Sequence, residues 1–150
     1  DEPWDSPHNK TFSEQTPRCY VSDRSAEFEG MTHYQVFVGP GTPFERKGIT
    51  WNDFPDGRSS TFLAVEAAEP VPWSKPGDLE YNPDGPLPAI ASRWHRPVKF
   101  LCTTLYTQPG FNAVFADGTA GFIPSSTDER TIRALITRNG GEKVDRPMLK

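Results

Sequence analysis

The chain has 150 residues, a formal charge of -4 and an isoelectric point near 5.4, with 35% hydrophobic and 24% charged residues. That length supports one hydrophobic core, and one domain over 1–150 is the expectation. The acidic balance opposes a general affinity for nucleic acid or anionic lipid, and with only Cys19 and Cys102 the chain is neither a disulfide-dense scaffold nor a cysteine-ligated cluster protein.

No apolar run reaches the roughly 20 residues of a membrane-spanning helix, and no basic-plus-apolar leader is present. The start at Asp1 without an initiator Met reads as a processed or truncated piece. A bridge between Cys19 and Cys102 would close a loop of about 80 residues and stabilise by roughly 4 kcal/mol; two buried free thiols are the alternative.

In chain order, residues 1–18 contain three prolines and no sustained periodicity, which predicts an extended lead anchored on the body by Trp4 and Phe12. Asp5-Ser6-Pro7 carries turn chemistry within it. Met31 to Val38 alternates as a strand, with Tyr34, Val36 and Val38 on one face and His33, Gln35 and Phe37 on the other, ended by Gly39-Pro40-Gly41. Asp56-Gly57 permits a turn before an apolar strand over Thr61 to Glu66. Ala68 to Pro88 is proline-dense, and proline lacks an amide donor and restricts its predecessor. A long structured loop, packed through Trp73, Leu79, Tyr81 and Leu87, is expected there.

Val98 to Tyr106 reads as a strand. Asn112 to Ala116 and Thr119 to Ile123 then flank Asp117-Gly118, a strong hairpin signal in which both turn residues favour positive φ. In the last element Ser126 and Glu129 have capping-box spacing, Ile132, Leu135 and Ile136 form an apolar stripe, Arg138 suits the negative end and Gly140 suits a left-handed cap. Strands separated by long loops, followed by a hairpin and one amphipathic helix, predict an α+β fold with a mostly antiparallel sheet.

Several groups of residues carry chemistry on paper. Asp117 is either the tip of a structural turn or a carboxylate placed for a metal or for catalysis. Asp78, Glu80, Asn82 and Asp84 have the i, i+2 spacing of oxygen ligands for calcium, with Asp117 a further metal candidate, but Pro83 and Pro86 interrupt the run and no acidic residue stands where a calcium loop closes. His8, His33 and His95 lie far apart and outside any zinc spacing. Ser59, Ser60, Cys19 and Cys102 are nucleophile types, and Glu66 with Glu69 a carboxylate pair, yet none sits in an informative hydrolase setting. Gly39-Pro40-Gly41 is no phosphate loop, and Arg130, Arg133, Arg138, Lys143 and Arg146 read as residues that solubilise and cap the helix. PVPWSKPGDLEYNPDGPLP offers aromatic anchors and preorganised turns suited to recognition; the same residues suit a loop that seals the core.

Taken together, DEPWDSPHNK, Cys19 with Ser22-Asp23, FPDGRSSTFLAVEAAEPVPWSKPGDL, FNAVFADGTAGFI and TIRALITRNGGE resemble the planctomycete family called domain of unknown function 1559 (DUF1559), whose C-terminal part carries an H-x9-DG motif. The resemblance spans nearly the whole chain. Tyr20 stands where the family has proline, and Thr107 stands ten residues before Asp117, where the motif has histidine; His95 is the residue that would substitute. The resemblance implies a pilin- or pseudopilin-like globular head, exported to the periplasm or cell surface, with a structural and non-enzymatic role. It implies assembly with itself or other protein subunits and attachment to a membrane only through a preceding apolar helix; it supplies no reaction or ligand, and no cofactor is expected. A calcium- or ligand-binding surface module is the alternative, and a hydrolase a more distant one. The residues expected to carry the structure are Trp4, Cys19, Trp73, Asp117, Gly118, Ile132, Leu135 and Gly140.

Overall fold

A computed structural model describes residues 2–21, 29–90, 94–100, 103–144 and 147, with side chains outside the described set for 94–107. The fold is α+β, as the order of elements predicts. One five-stranded antiparallel sheet is built from β1 (Met31–Gln35), β3 (Phe62–Pro72), β5 (Trp94–Phe100), β6 (Thr103–Phe115) and β7 (Ala120–Pro124). The long β6 pairs with β3, β5 and β7, and β3 pairs with β1. A separate parallel pair joins β2 (Phe37–Val38) to β4 (Leu79–Glu80). Helix α1 is Pro7–Ser13 and helix α2 is Glu129–Ile136.

The core lies between the sheet and α2. Phe111, Ala113 and Phe115 alternate along β6, Ile123 comes from β7, and the helix contributes Ile132, Leu135 and Ile136. Phe62 and Val65 both reach this core although three positions separate them. The register shifts between Phe62 and Ala64, so Leu63 is an extra residue that turns the following side chains over. Phe62 is the centre of the cluster, its ring centroid 6.5 Å from Phe37, 6.1 Å from Phe111 and 5.3 Å from Phe115.

The lead is not extended. Ser6 caps α1 by accepting a hydrogen bond from the Asn9 amide, and Pro7 occupies the first turn, where its missing N–H costs nothing. Trp4 is half-buried, but Phe12 is 60% exposed and does not anchor the segment. The attachment runs instead through Trp73, whose indole Nε1–H donates to the Ser13 carbonyl at 2.9 Å and whose ring lies 5.6 Å from that of Tyr20.

The strand expected to stop at Glu66 continues through Pro70 to Pro72. Tyr34 faces Glu66 while Thr32 faces Val71, so His33 alone spans residues 67–70, which arch away from β1. Side chains and a neighbouring loop replace the ladder there: His33 Nδ1 lies 3.0 Å from the Ala67 oxygen, Gln35 Nε2 donates to the Glu69 oxygen, and the Ala68 amide donates to the Ala89 carbonyl. Pro70 is tolerated because it lies in the arch, where no regular ladder bond is asked of it, and Pro72 is the last residue of the strand, opposite Met31. The polar-looking face of His33, Gln35 and Phe37 is the buried one.

The single strand read over Val98 to Tyr106 is two arms of a hairpin, with Phe100 paired to Thr103. Cys102 lies outside the described residues, and so does the question of its pairing with Cys19.

The last helix carries the expected stripe but different caps. Asp128, not Ser126, is the N-cap, accepting from the Thr131 amide at 2.9 Å and its hydroxyl at 2.7 Å. Those two donors hold the Asp128 carboxyl below the usual carboxylate range. At the other end Gly141, not Gly140, takes positive φ, because the chain leaves the helix in extended form at Thr137.

Truncating Phe62→Ala removes the ring that three other phenylalanines pack on. Equilibrium denaturation should give a loss of about 3–5 kcal/mol relative to the parent.

Candidate interaction site

Two turns with exposed polar residues are the 116–119 reversal and the loop after β4. In the first, the Gly118 amide donates to the Phe115 carbonyl and the Phe115 amide donates to the Thr119 carbonyl. That is a three-residue loop closed by a glycine bulge, not the expected two-residue turn, and only Gly118, at φ +85°, needs the left-handed region for it. Asp117 Oδ1 accepts from the Thr119 amide at 3.0 Å and from its hydroxyl at 2.7 Å. This carboxylate closes its own turn.

The loop after β4 is tied down from beneath. Leu79 and Tyr81 donate their amides to Val36 and Val38, and the Tyr81 side chain is buried in the core. Gly39, at φ +133°, abuts the Tyr81 carbonyl so closely that a Cβ would clash with it. Beyond Tyr81, Arg133 of α2 reaches across, its guanidinium donating to the carbonyls of Pro83 at 3.3 Å and Gly85 at 2.7 Å. The same group pairs with Glu129 at 2.7 Å, and bonding first to Glu129 and then to Tyr81 raises its pKa above the ordinary arginine value. Arg133 thus clamps the loop instead of only solubilising the helix. Asn82 Oδ1 accepts from the Asp84 amide, making an Asx turn. The result is a fixed ridge on which Asp78, Glu80, Asn82, Pro83, Asp84 and Pro86 are exposed.

Burial raises the pKa of the Asp78 carboxyl somewhat. The ridge does not gather its acids: among the described residues no three of His, Cys, Asp and Glu come together as a metal-binding group. Asp117 belongs to a different turn.

Arg138, expected to cap the helix from solvent, is 7% exposed. Its amide donates to the Gly41 carbonyl, its Nη1 to the Asp53 carbonyl at 2.9 Å and its Nη2 to Glu45 Oε2 at 2.8 Å. Asp56 completes the clasp by accepting from the Gly141 amide with both carboxylate oxygens. Residues 41–57 are thereby fastened to the end of α2. This was hidden in the sequence, because an arginine after a helix normally reads as a surface charge.

The fastened segment carries a cleft of about 450 Å3 lined by Pro43, Phe44, Ile49, Trp51, Phe54 and Leu63. Thr50 and Asp53 form a reciprocal cap on the short 3-10 turn Trp51–Asp53, and Thr50's amide and hydroxyl hold the Asp53 carboxyl below its usual range. Arg58 stacks 5.3 Å from the centre of the Trp51 ring. Neither this cleft nor its aromatic rim was singled out from sequence.

The other sequence candidates disperse. Ser59 and Ser60 lie on the 3-10 turn Arg58–Ser60, and Ser60 donates to the Val144 carbonyl. Glu66 is buried and accepts from the Asn112 amide at 2.8 Å, whereas Glu69 is exposed. His8 is on α1, His33 is buried at the arch, and the side chain of His95 lies outside the described residues. Cys19 is exposed in the 3-10 turn Arg18–Tyr20.

Comparison with protein-family models, curated proteins and solved structures found no match.

Two measurements follow from these turns. Gly118→Ala meets open space but must hold positive φ, so its denaturation midpoint should fall by the equivalent of about 1 kcal/mol; an unchanged midpoint would remove the glycine bulge. Millimolar calcium should leave the thermal midpoint of the parent unchanged, and an upward shift would restore the 78–84 loop as a cation site.

Proposed function

We propose that the chain is a non-enzymatic structural domain that works by assembly and recognition, as the head of a pilin- or pseudopilin-like subunit. The clamped acidic ridge carries the reading. Arg133, Tyr81 and the Asx turn at Asn82 fix the loop before any partner arrives, so binding costs little ordering entropy. Rigid loops with outward polar groups on a supporting sheet are a common way to present a recognition surface.

The resemblance to DUF1559 supports the same reading and adds its setting: export to the periplasm or cell surface, with other subunits or further copies of itself as partners. No helix among the described residues is long and apolar enough to cross a membrane. Attachment would fall to an apolar helix preceding this domain. Calcium is not required by the proposal, because the ridge is fixed by hydrogen bonds.

Sedimentation velocity over rising protein concentration tests it. A reversible shift to faster-sedimenting species is expected; a chain that stays monomeric up to millimolar concentration would overturn self-assembly.

A further inference from the structure

The cleft at Trp51 exposes apolar surface that the core does not use. Trp51 is 63% exposed and Phe44 43% exposed, although both sit on a segment that the Arg138 clasp holds in place. Large exposed aromatics beside an arginine are the composition of interaction hot spots. An apolar cleft of this size on a rigid support is a binding feature more often than a packing defect.

Charges of both signs surround it. The three acids of the segment are each engaged, Glu45 with Arg138, Asp53 with Thr50 and Asp56 with the Gly141 amide. Its basic residues, Arg46, Lys47 and Arg58, are all exposed. Arg58 lies over the Trp51 ring at the cleft, and Arg46 and Lys47 are exposed on the same segment. The complementary surface is on the same chain. The ridge formed by β4 and its flanks exposes Asp78, Glu80 and Asp84 together with Pro83 and Pro86. Prolines fixed in a turn lose little freedom when they pack on aromatic rings, and carboxylates set beside them would meet these cations.

We infer that the Trp51 cleft receives the acidic proline-rich ridge of a second copy of this chain. The inference rests on the assembly reading above and names its contact. Each copy carries one cleft and one ridge, so the contact is head-to-tail and leaves an unfilled cleft at one end and a free ridge at the other. Such an interface propagates unless the rotation between copies closes a ring. Opposed charges bring the surfaces together, and Trp51, Phe44 and the prolines supply the desolvated centre.

Charge reversal on each side separately gives the test. A cleft variant carries Arg46→Glu, Lys47→Glu and Arg58→Glu, and a ridge variant carries Asp78→Lys, Glu80→Lys and Asp84→Lys. All six positions are exposed, and circular dichroism with a melting curve checks that each variant folds. Each alone should associate at least about tenfold more weakly than the parent, and an equimolar mixture should recover association through the reversed pair. Trp51→Ala should weaken association without altering the charges. Variants that associate as well as the parent would overturn this contact while leaving self-assembly standing. Loss in both variants without recovery on mixing would also overturn it, since the two surfaces would then not meet each other. A monomeric parent would overturn both proposals.

Discussion

Everything in this structure is arranged around the need to cover one apolar sheet face with one short helix. Ile132, Leu135 and Ile136 close over Phe62, Phe111, Phe115 and Ile123, and eight helical residues are too few to hold that position by helix propensity alone. The helix is therefore fastened at several points. Asp128 satisfies its first turn, Arg133 reaches out to the proline-rich loop, and Arg138 draws the segment after β2 against its exit. The two surfaces with interaction chemistry are the two segments so fastened. Stability and presentation share the same bonds here.

The class of fold was legible because the hydrophobic periodicities were clean. Alternation through Phe111, Ala113 and Phe115, the Asp117-Gly118 turn and the stripe on α2 all appear where local pattern puts them. The failures have identifiable causes. Proline penalties argued against a strand beyond Glu66, but the arch at His33 takes the ladder away from residues 67–70, and Pro72 falls at the strand's end. The 98–106 segment reads as apolar and β-branched apart from Lys99, with no glycine or asparagine to mark its reversal. The short α1 lacks an apolar face, so only its Ser-Pro start announces it. The Ser126-Glu129 spacing of a capping box put the start of α2 two residues early, because Asp128 meets the Thr131 donors that decide it.

Of the interaction surfaces, only the ridge was readable in advance. Its prolines, aromatic anchors and acids are adjacent in sequence. The cleft is assembled from residues 43–63 and depends on Arg138, far along the chain, to fix it in place; no local pattern carries that information. The orientation of Glu45, Asp53 and Asp56 likewise depends on long-range partners or on a cap that a charge count cannot foresee.

The arch in β3 has an effect on strand alignment. In an ordinary antiparallel pair a slide of two residues restores both the side-chain faces and the backbone bonds, so competing alignments differ little in energy. Here such a slide would pull the imidazole of His33 and the carboxamide of Gln35 off the carbonyls of Ala67 and Glu69, leaving buried dipoles unanswered. Two side chains thus act as pins, and the irregular stretch with its prolines selects a single alignment for an otherwise forgiving edge.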